Sequence, residues 1–355
     1  MVKFEEFQKR VEQLLSEENY EGGKRAHMKI VAYEVREDEA EIMKKLAGKL
    51  GIDELVTIAE PLTLETVRLA EGAAGVTTLG QSIIDENVCQ ALRDAGVKGY
   101  STRTVGYNHV DLKAAAEAGI RVSNATYSPH GVAEYTVMLI LMTLRNYKPA
   151  LYRINVNDYS LNGLIGKELH DMTVGIIGTG KIGAAVIQNL SGFGCKILAH
   201  SRHEDENVKK YATYVDMDTI YSECDIISFH TPLNDATYHM VNKRTIAKMK
   251  KGVILINCAR GELMNISDIT TGIEDEQIGA LALDVFENEN GIYHHDRKTD
   301  IIKNKDMAYL RQFPNVIMTQ HMAFYTEQAV VSMVHCGLES LVAFAENKEY
   351  RCQLQ

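Results

Sequence analysis

Three polar residues, Arg260, Glu289 and His321, lie shortly after apolar runs of the sequence and carry complementary chemistry. The guanidinium fork of Arg260 can bind a substrate carboxylate through two parallel hydrogen bonds. The imidazole of His321 can donate a proton near neutral pH, as a carbonyl requires when it becomes an alcohol. Glu289 would orient that imidazole and favour its charged form. Together the three residues predict reduction of a 2-keto acid, although each alone is also typical of a surface ion pair or a structural histidine.

The segment MTVGIIGTGKIGAAVIQNLSGFGCKILAHSRH, residues 172–203, predicts a strand, a tight turn, a helix and a second strand. Its three glycines follow the G-x-G-x-x-G spacing: the first permits the turn, the second lets a pyrophosphate approach the backbone, and the third lets the helix pack on the strand. The sequence therefore predicts a dinucleotide site. The residues expected to bind the cofactor there are Gly178, Gly180, Lys181, Ile182 and Gly183, with His230, Thr231 and Pro232 after a later strand.

The end of the second strand indicates which dinucleotide binds. An acidic residue there would accept hydrogen bonds from the ribose 2′-OH of NAD, but this chain has HSRH at residues 200–203. The hydroxyl of Ser201 and the guanidinium of Arg202 suit a 2′-phosphate, so the sequence favours NADP(H) over NAD(H). The alternative is that Arg202 stacks on the adenine or points to solvent, and the nearby Glu204 and Asp205 weaken the basic character.

Short β-branched apolar runs alternate with helical segments along the chain. This pattern predicts an α/β fold of two Rossmann-like domains, each a parallel sheet flanked by helices. Ligands of such sheets bind outside the carboxyl ends of the strands, where Arg260, His321 and the other polar candidates follow. The runs expected to form strands include MKIVAYEV, LVTIAE, GVKGYSTR, IRVSNA, CKILAHS, DIISFH, VILINCA, GALALDVF and NVIMTQ.

The chain divides into three parts by pattern. We assign residues 28–127 and 325–355 to a substrate domain and residues 128–324 to a dinucleotide-binding domain inserted into it. Residues 1–27 predict an amphipathic helix followed by a polar linker. We expect that helix to pack on its own protein or on a subunit partner, with binding of another partner as the alternative.

Two apolar helices are predicted around the inserted domain. Pro129 opens the first, with Ser128 as its cap, and it runs to about Tyr147. The second begins near Thr326 and is expected to return to the first domain. The apolar stretch at 137–144 is too short to cross a bilayer, and no signal peptide precedes the fold, so no membrane contact is expected.

The composition excludes several other classes. A net charge of −10 over 355 residues argues against a nucleic-acid or membrane surface. The six cysteines form no C-x-x-C pair, which is typical of reduced thiols in a cytoplasmic protein. The run HHD at 294–296 lacks a third ligand at metal-binding spacing, so no metal is predicted.

At these residues the sequence resembles the D-isomer-specific 2-hydroxyacid dehydrogenases, and within them the D-lactate dehydrogenases of vancomycin-resistance type. The similarity runs from Met28 to near the C-terminus. It lies in VGIIGTGKIG, HTPLNDATYHMVN, INCARGELMN, ALDVFENE and QHMAFYTEQA, with the long loop between Glu289 and His321 typical of the D-lactate and D-2-hydroxyisocaproate branch.

The resemblance implies a role for each matching residue. Arg260 would bind the substrate carboxylate and carbonyl, His321 would be the acid/base with Glu289 as its partner, and Asp284 would lie near the nicotinamide. It also implies a homodimer and a small 2-keto or 2-hydroxy acid as substrate. The substrate-binding residues expected in the first domain, partly through their main chain, are Val105, Gly106, Tyr127 and Leu79.

Two departures from the family pattern leave the substrate open. Asn265 replaces a more common Asp, and the segment at 77–80 carries Leu79 where lactate enzymes often have a larger aromatic residue. We predict a D-lactate dehydrogenase acting on pyruvate or a larger 2-keto acid. The alternatives are a D-2-hydroxyisocaproate, phenyllactate or glyoxylate type of dehydrogenase. A more distant alternative is a dinucleotide-sensing binding protein related to transcriptional corepressors.

Overall fold

The structure, a computed structural model, describes residues 27–355. Apart from its last residue, the predicted N-terminal extension lies outside the described residues. The chain divides into two compact units, one that ends at Ser128 and resumes with Tyr325–Gln355, and one that comprises Pro129–Phe324. The boundaries predicted from the sequence are 127/128 and 324/325.

The first unit contains a five-stranded parallel sheet in the order β2-β1-β3-β4-β5. Its strands are β1 (Lys29–Ala32), β2 (Glu54–Thr57), β3 (Gly75–Thr78), β4 (Gly99–Thr102) and β5 (Arg121–Ser123). Its helices are α1 (Glu37–Leu50), α2 (Glu86–Asp94), α3 (Leu112–Glu117) and, after the other unit, α11 (Glu327–Ala345).

Helix α11 completes the first unit, as the sequence predicts for the final segment. Thr326 caps it by accepting a hydrogen bond from the N–H of Ala329. It packs on β3 and β4, where a Cβ on Gly75 would lie 2.8 Å from Leu341. By length and composition α11 could cross a membrane, but 67% of its apolar window is buried inside the protein. It is therefore a core helix of this unit.

The second unit contains a seven-stranded parallel sheet in the order β12-β11-β10-β9-β6-β7-β8. Its strands are β6 (Thr173–Ile177), β7 (Lys196–His200), β8 (Thr213–Tyr214), β9 (Ile226–Phe229), β10 (Val253–Asn257), β11 (Ile278–Leu283) and β12 (Val316–Met318). Its helices are α4 (His130–Leu144), α5 (Tyr147–Asn155), α6 (Lys181–Ser191), α7 (Met217–Glu223), α8 (Lys243–Ile246), α9 (Ile266–Glu274) and α10 (Lys305–Leu310).

Apolar cores cover both faces of this sheet, which explains why its strands are nearly continuous in apolar character. The fold class predicted from the sequence, two parallel-sheet α/β units with flanking helices, is thus confirmed. All strand neighbours run parallel, so the carboxyl ends of the strands lie at one edge of each sheet.

The apolar helix that opens the second unit differs from the prediction. It ends at Leu144 and not near Tyr147, because Asn146 takes the left-handed conformation with φ 50° and a separate helix, α5, begins after it. Its N-cap residue is Pro129, which supplies no side-chain hydrogen bond, and not Ser128. The sequence pattern did not predict this helix end, because a single asparagine in the left-handed conformation is enough to end a helix while apolar residues occur on both sides of it.

Candidate active site

The turn between β6 and α6 is built by close packing of its glycines. Gly178 has φ +95°, and a Cβ there would lie 2.5 Å from the carbonyl oxygen of His230. A Cβ on Gly183 would lie 1.9 Å from the carbonyl oxygen of Gly178. Among the residues that the structure describes, no heavy atom lies within 4 Å of a Cβ placed on Gly180, the N-cap residue of α6.

This turn fits the pyrophosphate of a dinucleotide. Open space lies against the backbone at Gly180, directly before the N–H groups of the first turn of α6, which attract an anion. Lys181 is exposed and Ile182 is half-buried at the same helix start. The residues that would hold a bound dinucleotide here are therefore the backbone of 178–183 and the residues after β7 and β9.

His230 follows β9 beside this turn. Its Nε2 lies 2.9 Å from the Ser228 hydroxyl, and burial lowers the pKa of the imidazole to about 4. The ring is consequently neutral at physiological pH. Thr231 is half-buried and Pro232 is exposed, so the segment presents a neutral face next to the glycine turn.

The end of β7 carries the residues predicted to select the cofactor. Ser201 is half-buried and Arg202 is exposed, while the Glu204 carboxylate pairs with Lys209 at 2.8 Å. The Glu204 carboxylate is thus paired with a lysine.

Sequence reasoning missed a hydroxyl contact beside the same strand end. The Thr179 hydroxyl lies 2.8 Å from the hydroxyl of Tyr214, which also accepts a hydrogen bond from the N–H of Asp205 at 3.0 Å. Thr179 is the second residue of the glycine turn, so this contact ties the turn to β8. No sequence pattern could have indicated it, because β8 has only two residues.

His321 and Glu289, the pair predicted for acid/base chemistry, are in contact. His321 Nδ1 lies 2.5 Å from Glu289 Oε1, and Glu289 Oε2 accepts a hydrogen bond from the N–H of Phe286 at 2.7 Å. The His321 side chain is 31% exposed, which leaves its ring accessible to a substrate and to solvent. Because Nδ1 is engaged by the carboxylate, the ring nitrogen left to exchange a proton with a substrate is Nε2.

Asp284 holds the segment that carries His321. Its side chain is completely buried, and Oδ1 accepts hydrogen bonds from the Thr319 hydroxyl at 2.5 Å and from the N–H of Met322 at 2.9 Å. Oδ2 accepts from the N–H of Ala323 at 2.8 Å. The predicted place of Asp284 near the nicotinamide stays a prediction, but its carboxylate already has a positioning role.

Arg260 lies three residues after β10 in a loop that is fixed on both sides. Asn257 Nδ2 donates to the carbonyl oxygen of Arg260 at 2.8 Å, and Arg260 Nη1 donates to the carbonyl oxygen of Ala259 at 2.6 Å. A Cβ on the next residue, Gly261, would lie 2.2 Å from the carbonyl carbon of Phe286, so the loops after β10 and β11 are in close contact.

Arg260, Glu289 and His321 thus follow three adjacent parallel strands, β10, β11 and β12, at one sheet edge. In residues 27–355 no group of three His, Cys, Asp or Glu side chains could hold a metal ion. The arrangement supplies a cation for a carboxylate and a proton donor backed by a carboxylate, beside a turn that fits a dinucleotide.

The substrate-side candidates belong to the first unit, at the carboxyl edge of its own sheet. The carbonyl oxygen of Val105 accepts from Asn124 Nδ2 at 2.7 Å, and that of Gly106 accepts from the Thr104 hydroxyl at 2.6 Å. Within the described part of the chain, the N–H groups of Val105 and Gly106 donate to no protein acceptor. Two such amides next to each other can bind a carboxylate. Leu79 is nearly buried and Tyr127 is half-buried.

Similarity to known proteins identifies the family of this chain. Residues 137–323 match the model of the NAD-binding domain of the D-isomer-specific 2-hydroxyacid dehydrogenases. An aromatic 2-oxoacid reductase of Clostridium sporogenes is 41% identical over 89% of this chain and 96% of its own. The chain belongs to the D-isomer-specific 2-hydroxyacid dehydrogenase family. It is therefore an oxidoreductase that uses a nicotinamide dinucleotide.

One further relative and one solved structure are also similar to this dehydrogenase. A D-lactate dehydrogenase of Curvularia clavata is 40% identical over 81% of this chain and 82% of its own. The crystal structure of an NAD-complexed D-2-hydroxyacid dehydrogenase from Lactobacillus delbrueckii ssp. bulgaricus has a TM-score of 0.77, with 33% identity over 92% of this chain and 100% of that chain. The family resemblance stated from the sequence is thus confirmed.

Proposed function

We propose that this dehydrogenase reduces pyruvate and larger 2-oxo acids to D-2-hydroxy acids. The observation that carries the proposal is the contact between His321 Nδ1 and Glu289 Oε1, placed after neighbouring strands with Arg260 at the same edge. A carboxylate-backed imidazole next to a guanidinium matches a substrate with a carboxylate beside a carbonyl.

In this mechanism each residue acts on a defined part of the substrate. Arg260 binds the carboxylate and polarises the carbonyl oxygen. His321 enters as the imidazolium and transfers its Nε2 proton to that oxygen as the carbonyl carbon is reduced, which leaves a neutral ring that solvent reprotonates. The Glu289 carboxylate stabilises the imidazolium and fixes its orientation. The bound nicotinamide dinucleotide supplies the hydride. In the first unit, the N–H groups of Val105 and Gly106 are the candidates for carboxylate binding.

The side chain at position 79 supports a second candidate substrate class. Leu79 belongs to the segment 77–80, where lactate-specific enzymes often carry a larger aromatic residue, and its carbonyl oxygen accepts hydrogen bonds from the hydroxyls of Thr102 and Thr78 at 2.9 and 3.1 Å. These contacts fix the backbone of the segment, which carries no aromatic side chain. Together with the similarity to an aromatic 2-oxoacid reductase, this favours arylpyruvates as substrates besides pyruvate.

The cofactor proposal is NADP(H). It is supported by the half-buried Ser201 and the exposed Arg202 at the end of β7, and by the diversion of Glu204 to Lys209. Replacement of Arg202 by Ala removes a charge-assisted contact worth roughly 1.5–3 kcal/mol, so kcat/KM for NADPH should fall about tenfold or more while NADH changes little. The replacement Ser201→Asp should shift preference toward NADH. Equal losses for both cofactors, or a wild-type preference for NADH, would contradict the proposal.

We also propose a cytoplasmic homodimer. Large apolar side chains are exposed on α4, on α5 and in the segment after α5, and exposed apolar side chains of this kind are typical of a subunit interface. They are Met138, Tyr147, Leu151, Tyr152, Ile154, Val156, Tyr159, Leu161 and Ile165. The six cysteines, all described, form no disulfide, which favours a reducing compartment. Sedimentation of the full chain tests the dimer, and a monomer would contradict it.

One assay tests the substrate proposal. NADPH and NADH oxidation is followed with pyruvate, 2-ketoisocaproate, phenylpyruvate, glyoxylate and oxaloacetate, and the products are separated on a chiral column. We expect pyruvate and phenylpyruvate to be reduced to their D-hydroxy acids. Turnover confined to glyoxylate or oxaloacetate, or an L-product, would contradict the proposal.

A further inference from the structure

The segment after Glu289 turns back toward His321. The N–H groups of Ile292 and Tyr293 donate to the carbonyl oxygen of Glu289 at 3.0 and 3.1 Å, forming a single turn. The next residue, His294, then has its Nε2 3.1 Å from the carbonyl oxygen of His321. Because a carbonyl oxygen only accepts hydrogen bonds, Nε2 of His294 must carry the proton and donate it.

His321 has an unfavourable backbone conformation. Its φ of 53° lies in the left-handed region, which a residue with a Cβ rarely adopts, and His294 has φ 65°. Such a conformation persists only where the surroundings fix it. The N–H of His321 donates to the carbonyl oxygen of Asp284 at 2.6 Å, and its ring is held by Glu289. His294 supplies a contact on the remaining polar group, the carbonyl oxygen.

The rings around this contact are packed together. The centroid of the His294 ring lies 6.1 Å from that of His321 and 6.3 Å from that of Phe324, and the His321 and Phe324 rings are also 6.3 Å apart. The carbonyl that His294 binds and the ring that transfers the proton are therefore parts of one cluster. Movement of the peptide plane after His321 would move its Cβ and its ring.

We propose that His294 is a positioning residue for the proton transfer. Its hydrogen bond fixes the peptide plane that follows His321, so that Nε2 of His321 stays where it can protonate the substrate oxygen. Residues 289–294 therefore contact His321 twice: Glu289 binds its imidazole ring, and His294 binds its backbone carbonyl oxygen. A displacement of about 1 Å at a reacting group can cost about a hundredfold in rate, so a modest contact here has a measurable effect.

Two variants separate this role from simple support of the loop. His294→Gln keeps an N–H donor at nearly the position of Nε2, whereas His294→Phe keeps the ring and removes the donor. His295→Phe, at the exposed neighbouring histidine, is the matched control. Each full-length variant is assayed with pyruvate and saturating NADPH for kcat, KM, the solvent isotope effect and thermal stability.

The expected result is a fall in kcat of about tenfold in His294→Phe, with KM within about twofold and a larger solvent isotope effect, because proton transfer becomes slower. His294→Gln should retain kcat within about threefold, and His295→Phe should match the wild type. A wild-type kcat in His294→Phe, equal losses in the Phe and Gln variants, or a change in stability alone would overturn the inference.

The inference rests on the proposed role of His321, and the two can fail separately. If the wild-type enzyme reduces 2-oxo acids and His294→Phe does so equally well, only the role of His294 is refuted. If the wild-type enzyme reduces no 2-oxo acid, the proposed function fails, and the role of His294 fails with it.

Discussion

Replacement of Glu289 by Gln removes one charge without changing the size of the side chain, and the structure shows why it should impair proton transfer. The two carboxylate oxygens accept from two different donors, His321 Nδ1 at 2.5 Å and the N–H of Phe286 at 2.7 Å. Glutamine has one oxygen for both. If that oxygen faces Phe286, the amide NH2 faces Nδ1 and opposes the imidazolium. If it faces His321, the NH2 opposes the Phe286 N–H in a half-buried place.

The magnitude follows from the contact that is lost. A hydrogen bond to a charged group contributes about 1.5–3 kcal/mol, which corresponds to a fall in kcat of about tenfold to about 150-fold.

The assay is kcat for pyruvate reduction at one fixed pH, with a cofactor deuterated at the transferred position to establish that hydride transfer limits the rate. Glu287→Gln is the matched control, because Glu287 pairs with His239 at 3.0 Å and not with His321. The control should keep the wild-type kcat. A wild-type kcat in Glu289→Gln, with hydride transfer rate-limiting, would refute the partnership of Glu289 and His321.

Three other substitutions test the remaining parts of the site. Arg260→Lys should lower kcat/KM for pyruvate by about a hundredfold at unchanged thermal stability, since a point charge cannot replace the fork; near-wild-type kinetics would exclude the role. Asp284→Asn places an amide NH2 against a buried N–H donor, so the free energy of unfolding should fall by about 2 kcal/mol and kcat should fall as well. Denaturant titration and the kinetic assay measure the two quantities, and wild-type values of both would contradict the positioning role. Burial lowers the pKa of His230 from about 6.5 in the unfolded chain to about 4 in the folded protein. Neutral His230 therefore contributes fully to stability above about pH 6.5, and about 3 kcal/mol of the free energy of unfolding is lost as the pH falls toward 4. Urea titration should show that His230→Gln loses less stability than the wild type over this range, and an equal loss would show that His230 is not the cause.

The sequence predicts the carboxyl edge of each sheet well, because there an apolar strand gives way to polar residues. Strands covered on both faces must be apolar throughout, so the polar residues that follow them, such as Arg260 and His321, mark where the strands end. The glycine turn is equally readable, since Gly178 and Gly183 are required by contacts of less than 3 Å that any side chain would violate.

The parts that were not predicted depend on tertiary contacts or on very short elements. Strand β8 has two residues, too few for a periodic pattern, and its Tyr214 was therefore missed with its contact to Thr179. The hydrogen bond between Asp284 and Thr319 joins residues 35 apart in sequence, so the sequence marks Asp284 as a polar residue after a strand but does not indicate its partner. The predicted runs also extend past the ends of several strands, because residues such as Cys258 after β10 remain apolar.

The fate of a single deuterium tests the central claim most directly. The enzyme is incubated with pyruvate and a reduced nicotinamide dinucleotide carrying deuterium at the transferred position, and the lactate is analysed by chiral chromatography and mass spectrometry. We predict D-lactate with one deuterium on the carbon that bore the carbonyl, formed by the wild type and greatly reduced in His321→Gln. L-lactate, lactate without deuterium at that carbon, or an undiminished rate in His321→Gln would contradict it.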